Sequence, residues 1–162
     1  MARISPPEYF NSYVLRAFEE FKQNQMDVYL AKTACMWAFH MHESFFNGAN
    51  ENLKRELGVK LGNYTKRLRE DVEYFETVET VCNVTKHVTT GPPTKLVSAE
   101  NVQSQENYIL LENGGKLLLE NGGALLNESS GTYLTVDDEE TNLVSALESI
   151  IAFWKRELER VS

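Results

Sequence analysis

Long apolar runs are missing from this sequence. No apolar run approaches the ~18 residues that a membrane-spanning helix needs. Residues 1–7 also lack the apolar segment of a secretion signal. We therefore expect a cytoplasmic protein that does not enter a membrane.

Cysteine is also scarce, with two residues in the whole chain. Cys35 and Cys82 lie within apolar helical patterns, and their separation fits neither a zinc site nor a disulfide framework. We expect no metal and no other cofactor.

Basic residues are outnumbered, with 16 Lys and Arg against 24 Asp and Glu and a net charge of −8. This balance argues against broad binding to duplex nucleic acid, which depends on Lys and Arg replacing phosphate counterions. A local basic site remains compatible with this net negative charge. At 162 residues and 42% apolar composition, the chain is long enough to bury a core as one domain without metals or disulfides.

Apolar residues recur at helical spacing in the first half of the chain. Ser5 and Glu8 predict a helix start, because the Ser5 hydroxyl can accept a hydrogen bond from the Glu8 amide. Gly48 and Gly58 predict helix ends, since glycine adopts the left-handed conformation that closes a helix. The predicted helices cover approximately residues 5–24, 27–46, 51–57 and 64–87.

The composition changes at residues 90–93, Thr-Gly-Pro-Pro, where two adjacent prolines end the helical half. Residues 94–136 are rich in Leu, Val, Asn, Gly and Ser. Asn-Gly pairs at 113–114 and 121–122 are strong signals for tight turns between strands. This segment predicts a β-meander.

A final helix is predicted over residues 139–161, with acidic residues at 137–140 complementing its positive end. Its apolar stripe is expected to pack back on the N-terminal bundle. The predicted fold class is α+β and mainly α, a single domain over residues 1–162. Residues 5–90 form the helical bundle, which has four to five helices once the C-terminal helix packs back on it. A β-hairpin or meander at 94–136 is inserted before that last helix.

A six-residue repeat, Leu-Leu-Glu-Asn-Gly-Gly, lies inside the predicted β segment. It occupies residues 110–115 and 118–123, a period of eight, and residues 125–131 resemble a decayed third copy. Leucines at 117–119 fall on both faces of a strand, so a second layer should cover them. Two interpretations remain open: the sheet packs on the helices, or it forms an arm that pairs with another subunit.

The histidines offer several candidate sites. His40 and Glu43 share a helix face, whereas His42 points about 160° away from His40. A metal site would need ligands from other helices, so we expect histidines bonded to neighbouring groups instead. Cys82 and His87 lie about 140° apart around one predicted helix, which is poor geometry for a thiolate–imidazole pair.

Lys86 and His87 lie at the predicted C-terminal end of the fourth helix. A helix C-terminus favours a protonated imidazole, so the two residues form a small cationic spot that could hold a phosphate. Alternatively, both side chains cap the last carbonyl groups of the helix.

Two stretches of the sequence carry a resemblance. They are residues 81–87, Val-Cys-Asn-Val-Thr-Lys-His, together with the helical segment before them, and residues 153–158, Phe-Trp-Lys-Arg-Glu-Leu. They resemble a group of uncharacterised bacterial and phage-type proteins with a HEPN-like helical domain. HEPN domains are helical hairpin bundles, commonly dimeric, found in defence and toxin systems. Active members carry Arg, a polar residue, three further residues and His at a helix end. Asn83 and His87 match this pattern, whereas Cys82 occupies the arginine position.

The resemblance leaves three hypotheses open. In that family the arginine is taken to polarise phosphate or activate the ribose hydroxyl, which a neutral thiol cannot do. The first hypothesis is therefore a non-catalytic module that acts through dimerisation and partner binding, in a phage or defence context. The second is a weak metal-independent ribonuclease in which His87 transfers protons, Asn83 orients it and Lys86 stabilises phosphate charge. The third is an assembly protein that oligomerises through the repeat.

The expected partners follow from the first hypothesis. They are a second copy of the chain and a protein partner, with no membrane. RNA is not favoured by the net charge of −8.

Overall fold

The computed structural model describes residues 4–86, 101–106, 116, 130–136 and 139–161. Within these residues the protein is mainly helical, with a three-stranded antiparallel sheet. The predicted class, mainly α with a small β part, is confirmed at this level. The helices bury one continuous apolar core, which also takes in residues of the sheet.

The first helical segment consists of α1 (Pro6–Tyr9), a π-helical turn (Phe10–Leu15) and α2 (Arg16–Gln23). The predicted cap is confirmed, because the Ser5 hydroxyl accepts a hydrogen bond of 3.4 Å from the Glu8 amide. The π-helical turn was not predicted. The predicted apolar stripe is buried at Phe10, Val14, Ala17, Phe18 and Phe21.

Helix α3 (Val28–Gly48) packs against α2 and against two helices further along the chain, Phe75–Lys86 and Leu143–Leu158, so it is the central helix of the bundle. Asp27 caps it by accepting two hydrogen bonds from first-turn amides. The left-handed conformation predicted at Gly48 is wrong, because this residue remains helical and its φ is not positive. A Cβ atom here would overlap the ring of Pro6, so glycine allows α1 and α3 to approach closely.

The helices after α3 correct the prediction of one long helix over residues 64–87. Helix α4 (Glu51–Leu57) ends as predicted at Gly58, whose φ is 120°. The chain then forms two helices, α5 (Leu61–Asp71) and α6 (Phe75–Lys86).

The break between α5 and α6 has a clear backbone origin. Val72 is extended, with a ψ of 113°, and Tyr74 has a φ of 63°. Positive φ is uncommon for a bulky residue, so the surrounding packing must stabilise it. The turn lets Phe75, Val78 and Cys82 be buried on α6 along α3, which a straight continuation of α5 would not ensure.

The sheet has the order β1 (Val102–Gln105), β2 (Gly131–Val136) and β3 (Glu139–Asn142). Gln105 pairs with Gly131, so the two ends of the connection between β1 and β2 lie side by side.

Strand β3 corrects the predicted start of the last helix. Glu139 and Glu140 pair with Val136 and Thr135 of β2 instead of beginning a helix. Helix α7 (Leu143–Leu158) begins four residues later than predicted, where the side chain of Asn142 accepts hydrogen bonds from two first-turn amides. The side chain of Asn142 thus satisfies the free amides at the start of α7 by hydrogen bonding. The prediction had assigned the stabilisation of this helix start to the charge of the acidic residues at 137–140.

The apolar stripe of α7 packs on the bundle, as predicted. Trp154 is fully buried, and its Nε1 donates a hydrogen bond of 3.2 Å to the carbonyl oxygen of Ala38 in α3. The other buried residues of the stripe are Leu143, Ala146, Leu147, Ile150, Ile151 and Leu158.

Several sequence predictions fall outside the described residues. They are the break at residues 90–93, the two Asn-Gly turns and the repeat copies, except for the last two residues of the decayed copy. Lys116, between the first two copies, is described as a single bridge residue. Among the described helices, none combines the length and the apolar character that a membrane crossing requires.

Candidate functional site

Asn83 is the predicted site residue whose side chain lies within the described part of the chain. It is half-buried on α6. Lys86 is the last residue of α6, and its side chain and the whole of His87 lie outside the described residues. The cationic spot therefore stays a prediction.

Cys82, the residue at the arginine position of the resemblance, lies in the core. Its exposed fraction is 0%, and its side chain contacts α3. The Sγ atom lies 3.9 Å from Nε2 of His40, within hydrogen-bonding distance for sulfur. Helix packing thus brings together a thiol and an imidazole that are 42 positions apart in the sequence.

The imidazole of His40 is in turn bound by a carboxylate. Its Nδ1 lies 3.3 Å from Oε1 of Glu43, one turn further along α3, as their predicted shared face requires. The side chain of Glu43 is 48% exposed and that of His40 is 27% exposed. We call Cys82, His40 and Glu43 the thiol–imidazole–carboxylate line, because they lead from the core to the surface.

This order of groups has a defined chemical capacity. A carboxylate that binds one imidazole nitrogen orients the ring, and the other nitrogen can then take the proton of a thiol. A thiolate, unlike a thiol, is a strong nucleophile.

The sequence pattern paired Cys82 only with His87 and missed its contact with His40. Helix α3 is apolar around most of its circumference, so its periodicity does not show which residues face α6. Only the packing of the two helices settles the pairing.

His42 has a structural role, as the sequence suggested. It is buried, and its Nδ1 donates a hydrogen bond of 2.5 Å to the carbonyl oxygen of Phe39. Its ring also meets the edge of Phe75 at an interplanar angle of 88°. Burial lowers the pKa of His42, so the ring is neutral in the core.

Cys35 on α3 is the second buried thiol and is not joined to Cys82 in a disulfide. Burial, and secondarily the neighbouring Cys82, raises the pKa of the Cys35 thiol well above its usual range. Cys35 is therefore neutral at physiological pH, which makes it a natural reference for Cys82.

Tyr9 of α1 lies near the line and beside the π-helical turn. Burial raises the pKa of Tyr9 to about 12, and electrostatic interaction with Glu43 adds to this shift. The rings of Tyr13 and Trp37 stack with their centroids 4.8 Å apart, and Tyr9 lies against both. π-helical turns occur frequently at functional sites.

The described residues can also be considered as ligands of a metal ion and as the lining of a small-molecule pocket. No group of three or more His, Cys, Asp and Glu side chains is arranged there to hold a metal ion. A shallow depression lies at the turn between α2 and α3, lined by residues 23–29. It ends at Tyr29, eleven residues before His40, which is about 16 Å along the helix axis. It is therefore separate from the line.

Comparison of the chain with protein-family models, with curated proteins and with solved structures gives no match.

Proposed function

We propose that the protein is a non-catalytic, HEPN-like interaction module that forms a dimer and binds a protein partner in a phage or defence context. The observation that carries this proposal is the position of Cys82. The residue that stands in place of the catalytic arginine is a fully buried thiol, so this position presents no charge to a phosphate.

The nearest arginine in the sequence does not supply the missing charge. Arg69 on α5 binds the carboxylate of Glu79 on α6 through two hydrogen bonds of 2.6 Å each. These bonds use Nε and Nη2 of the guanidinium and offset much of its charge with that of a carboxylate. The ribonuclease alternative then depends on His87, Asn83 and Lys86. In this set the arginine position is occupied by Cys82, which supplies no positive charge.

A light-scattering measurement of mass tests the dimer. The expected mass is twice that of the 18.5 kDa chain at micromolar concentration. A mass of one chain across the accessible concentration range would contradict the proposal.

An RNA-cleavage assay separates the module from the enzyme. Purified protein is expected to leave single-stranded RNA intact without added metal. Cleavage that is lost in His87→Ala would replace the proposal by the ribonuclease alternative. Cleavage that persists equally in His87→Ala would indicate a contaminating nuclease.

The assembly alternative is favoured by one observation, the pairing of Gln105 with Gly131. The repeat-bearing connection begins and ends at this one place in the fold. Replacement of residues 107–129 by a two-residue Asn-Gly turn should lower the oligomeric state if the repeat mediates assembly. An unchanged mass would exclude this role.

A further inference from the structure

We propose that Cys82 is a peroxide-sensitive thiol that His40 activates, so that small hydroperoxides convert it to a sulfenic acid. Two distances support this role, 3.9 Å between Sγ of Cys82 and Nε2 of His40, and 3.3 Å between Nδ1 of His40 and Oε1 of Glu43. The proposed function also involves Cys82, as a buried residue that is uncharged at rest, but it uses neither His40 nor Glu43.

The hydrogen positions follow from the partners. The carboxylate of Glu43 can only accept, so the hydrogen of this bond is on Nδ1 of His40. In the neutral ring, Nε2 then carries a lone pair on the side of Cys82. The thiol donates to this lone pair, and transfer of its proton produces the thiolate.

The second buried cysteine shows what is particular to Cys82. Buried cysteines generally behave as small apolar residues and are inert. Cys35 fits that description, because burial keeps its thiol neutral. Both cysteines have an exposed fraction of 0%, so accessibility does not separate them, whereas the described hydrogen bond to His40 belongs to Cys82.

Burial of Cys82 determines the size of the reagent. The sulfur of Cys82 is fully buried, so a reagent reaches it only through a local opening of the structure. A small opening admits a molecule such as hydrogen peroxide but not a bulky aromatic disulfide. We therefore assign small hydroperoxides, rather than large electrophiles, as the reagent class.

The reaction is a two-electron oxidation of sulfur. The proton of Cys82 passes to Nε2 of His40, and the thiolate attacks one oxygen of hydrogen peroxide. The S–O bond forms as the O–O bond breaks, and the leaving hydroxide takes the proton from the imidazolium. The products are a sulfenic acid on Cys82 and one water molecule, and His40 returns to its neutral state.

The test compares the two cysteines within one protein. The full chain is treated with hydrogen peroxide, sulfenic acid is trapped with dimedone, and each cysteine is quantified by peptide mass spectrometry. Cys82 is expected to react at least about a hundredfold faster than Cys35, the low end of what a positioned base contributes. In guanidinium chloride the two rates should become similar. Equal rates in the folded protein would overturn the proposal.

Variants then identify the base. In His40→Gln the ring that accepts the proton is lost, and labelling of Cys82 should slow about a hundredfold or more, while labelling of Cys35 stays unchanged. In Glu43→Gln, a surface change, the rate of Cys82 labelling should fall about two- to fivefold, as expected for an exposed charged pair.

Circular dichroism checks that each variant is folded. If His40→Gln does not fold, Glu43→Gln decides, and an unchanged Cys82 rate in the folded variant refutes the role of His40.

An aromatic disulfide reagent provides the size control. Neither Cys82 nor Cys35 should react with it rapidly in the folded chain. Rapid reaction of Cys82 would mean that the thiol is simply accessible and would overturn its activation by His40.

Discussion

Arg69 and Glu79 are joined by two parallel hydrogen bonds, from Nε and Nη2 of the arginine to the two carboxylate oxygens, each 2.6 Å long. The side chain of Glu79 is 11% exposed and that of Arg69 is 46% exposed. The pair connects α5 with α6 across the break at Val72 and Tyr74. It is therefore placed to hold the two helices at the angle that buries α6 against α3.

Arg69→Ala should lower the free energy of unfolding by about 1.5 to 3 kcal/mol, because it leaves a largely buried carboxylate without its charged donor. Urea unfolding at neutral pH measures the change. The control is Lys66→Ala, which removes an exposed ion pair with Glu70 at 3.7 Å and should change stability by less than about 0.5 kcal/mol. Equal effects of the two substitutions would show that the Arg69–Glu79 pair does not stabilise the break.

Gly48 and Gly62 form a matched pair for testing helix packing. Gly48→Ala places a Cβ against the ring of Pro6, so we expect a loss of about 1 to 3 kcal/mol from overpacking. Gly62 on α5 has nothing within 4 Å of the added atom, so Gly62→Ala should stabilise the protein by about 0.5 to 1 kcal/mol through helix propensity. Denaturant midpoints give both signs. Stabilisation by both substitutions would refute the close contact between α1 and α3.

Thr132 connects the sheet to the helical bundle. It is fully buried, and its Oγ1 donates a hydrogen bond of 2.7 Å to the carbonyl oxygen of Gln25 in the turn between α2 and α3. Thr132→Val keeps the shape but removes the donor, so the free energy of unfolding should fall by about 1 to 2 kcal/mol. Chemical denaturation measures the loss. Thr135→Val, at a partly exposed position of the same strand, is the control and should have little effect.

Stability should fall as the pH rises above the usual pKa of tyrosine. Burial raises the pKa of Tyr64 above its usual range and that of Tyr9 to about 12. Above about pH 10 the unfolded chain loses these protons while the folded protein keeps them, so the unfolded state binds fewer protons and is favoured. Melting temperatures measured between about pH 8 and 11 should therefore decrease.

Single substitutions identify the tyrosine responsible for this alkaline loss. The hydroxyl of Tyr64 is buried and has no hydrogen-bond partner among the described residues. Tyr64→Phe should thus reduce the dependence on pH without loss of stability at neutral pH. Tyr29 is 75% exposed, so Tyr29→Phe should leave the dependence unchanged. If Tyr64→Phe and the unmodified chain show the same pH dependence, burial of Tyr64 is not the cause of the alkaline loss.

Features set by neighbours in the sequence were predictable. The cap at Ser5, the end at Gly58 and the apolar stripe of α7 depend on local spacing and conformation. The π-helical turn and the break at Tyr74 were not, because neither residue type nor periodicity marks them. Strand β3 is polar, Glu-Glu-Thr-Asn, and forms by backbone pairing with β2, which leaves no apolar alternation to read.

The candidate site also contains one contact that was predictable from the sequence and one that was not. The contact between His40 and Glu43 follows from helical spacing and was predictable as a shared face. The contact between Cys82 and His40 depends on how α6 rotates against α3, which a largely apolar helix does not encode in its pattern. Packing of the tertiary structure therefore decides the contact on which the proposed activation of Cys82 depends.

The pairing of Gln105 with Gly131 also makes this protein suitable as a display scaffold. A foreign peptide grafted between these two positions would have its ends fixed by the ladder of β1 and β2. Closing a longer graft adds only about 0.6 kcal/mol for each doubling of its length. Inserts of very different lengths should therefore be accepted there without loss of the helical bundle.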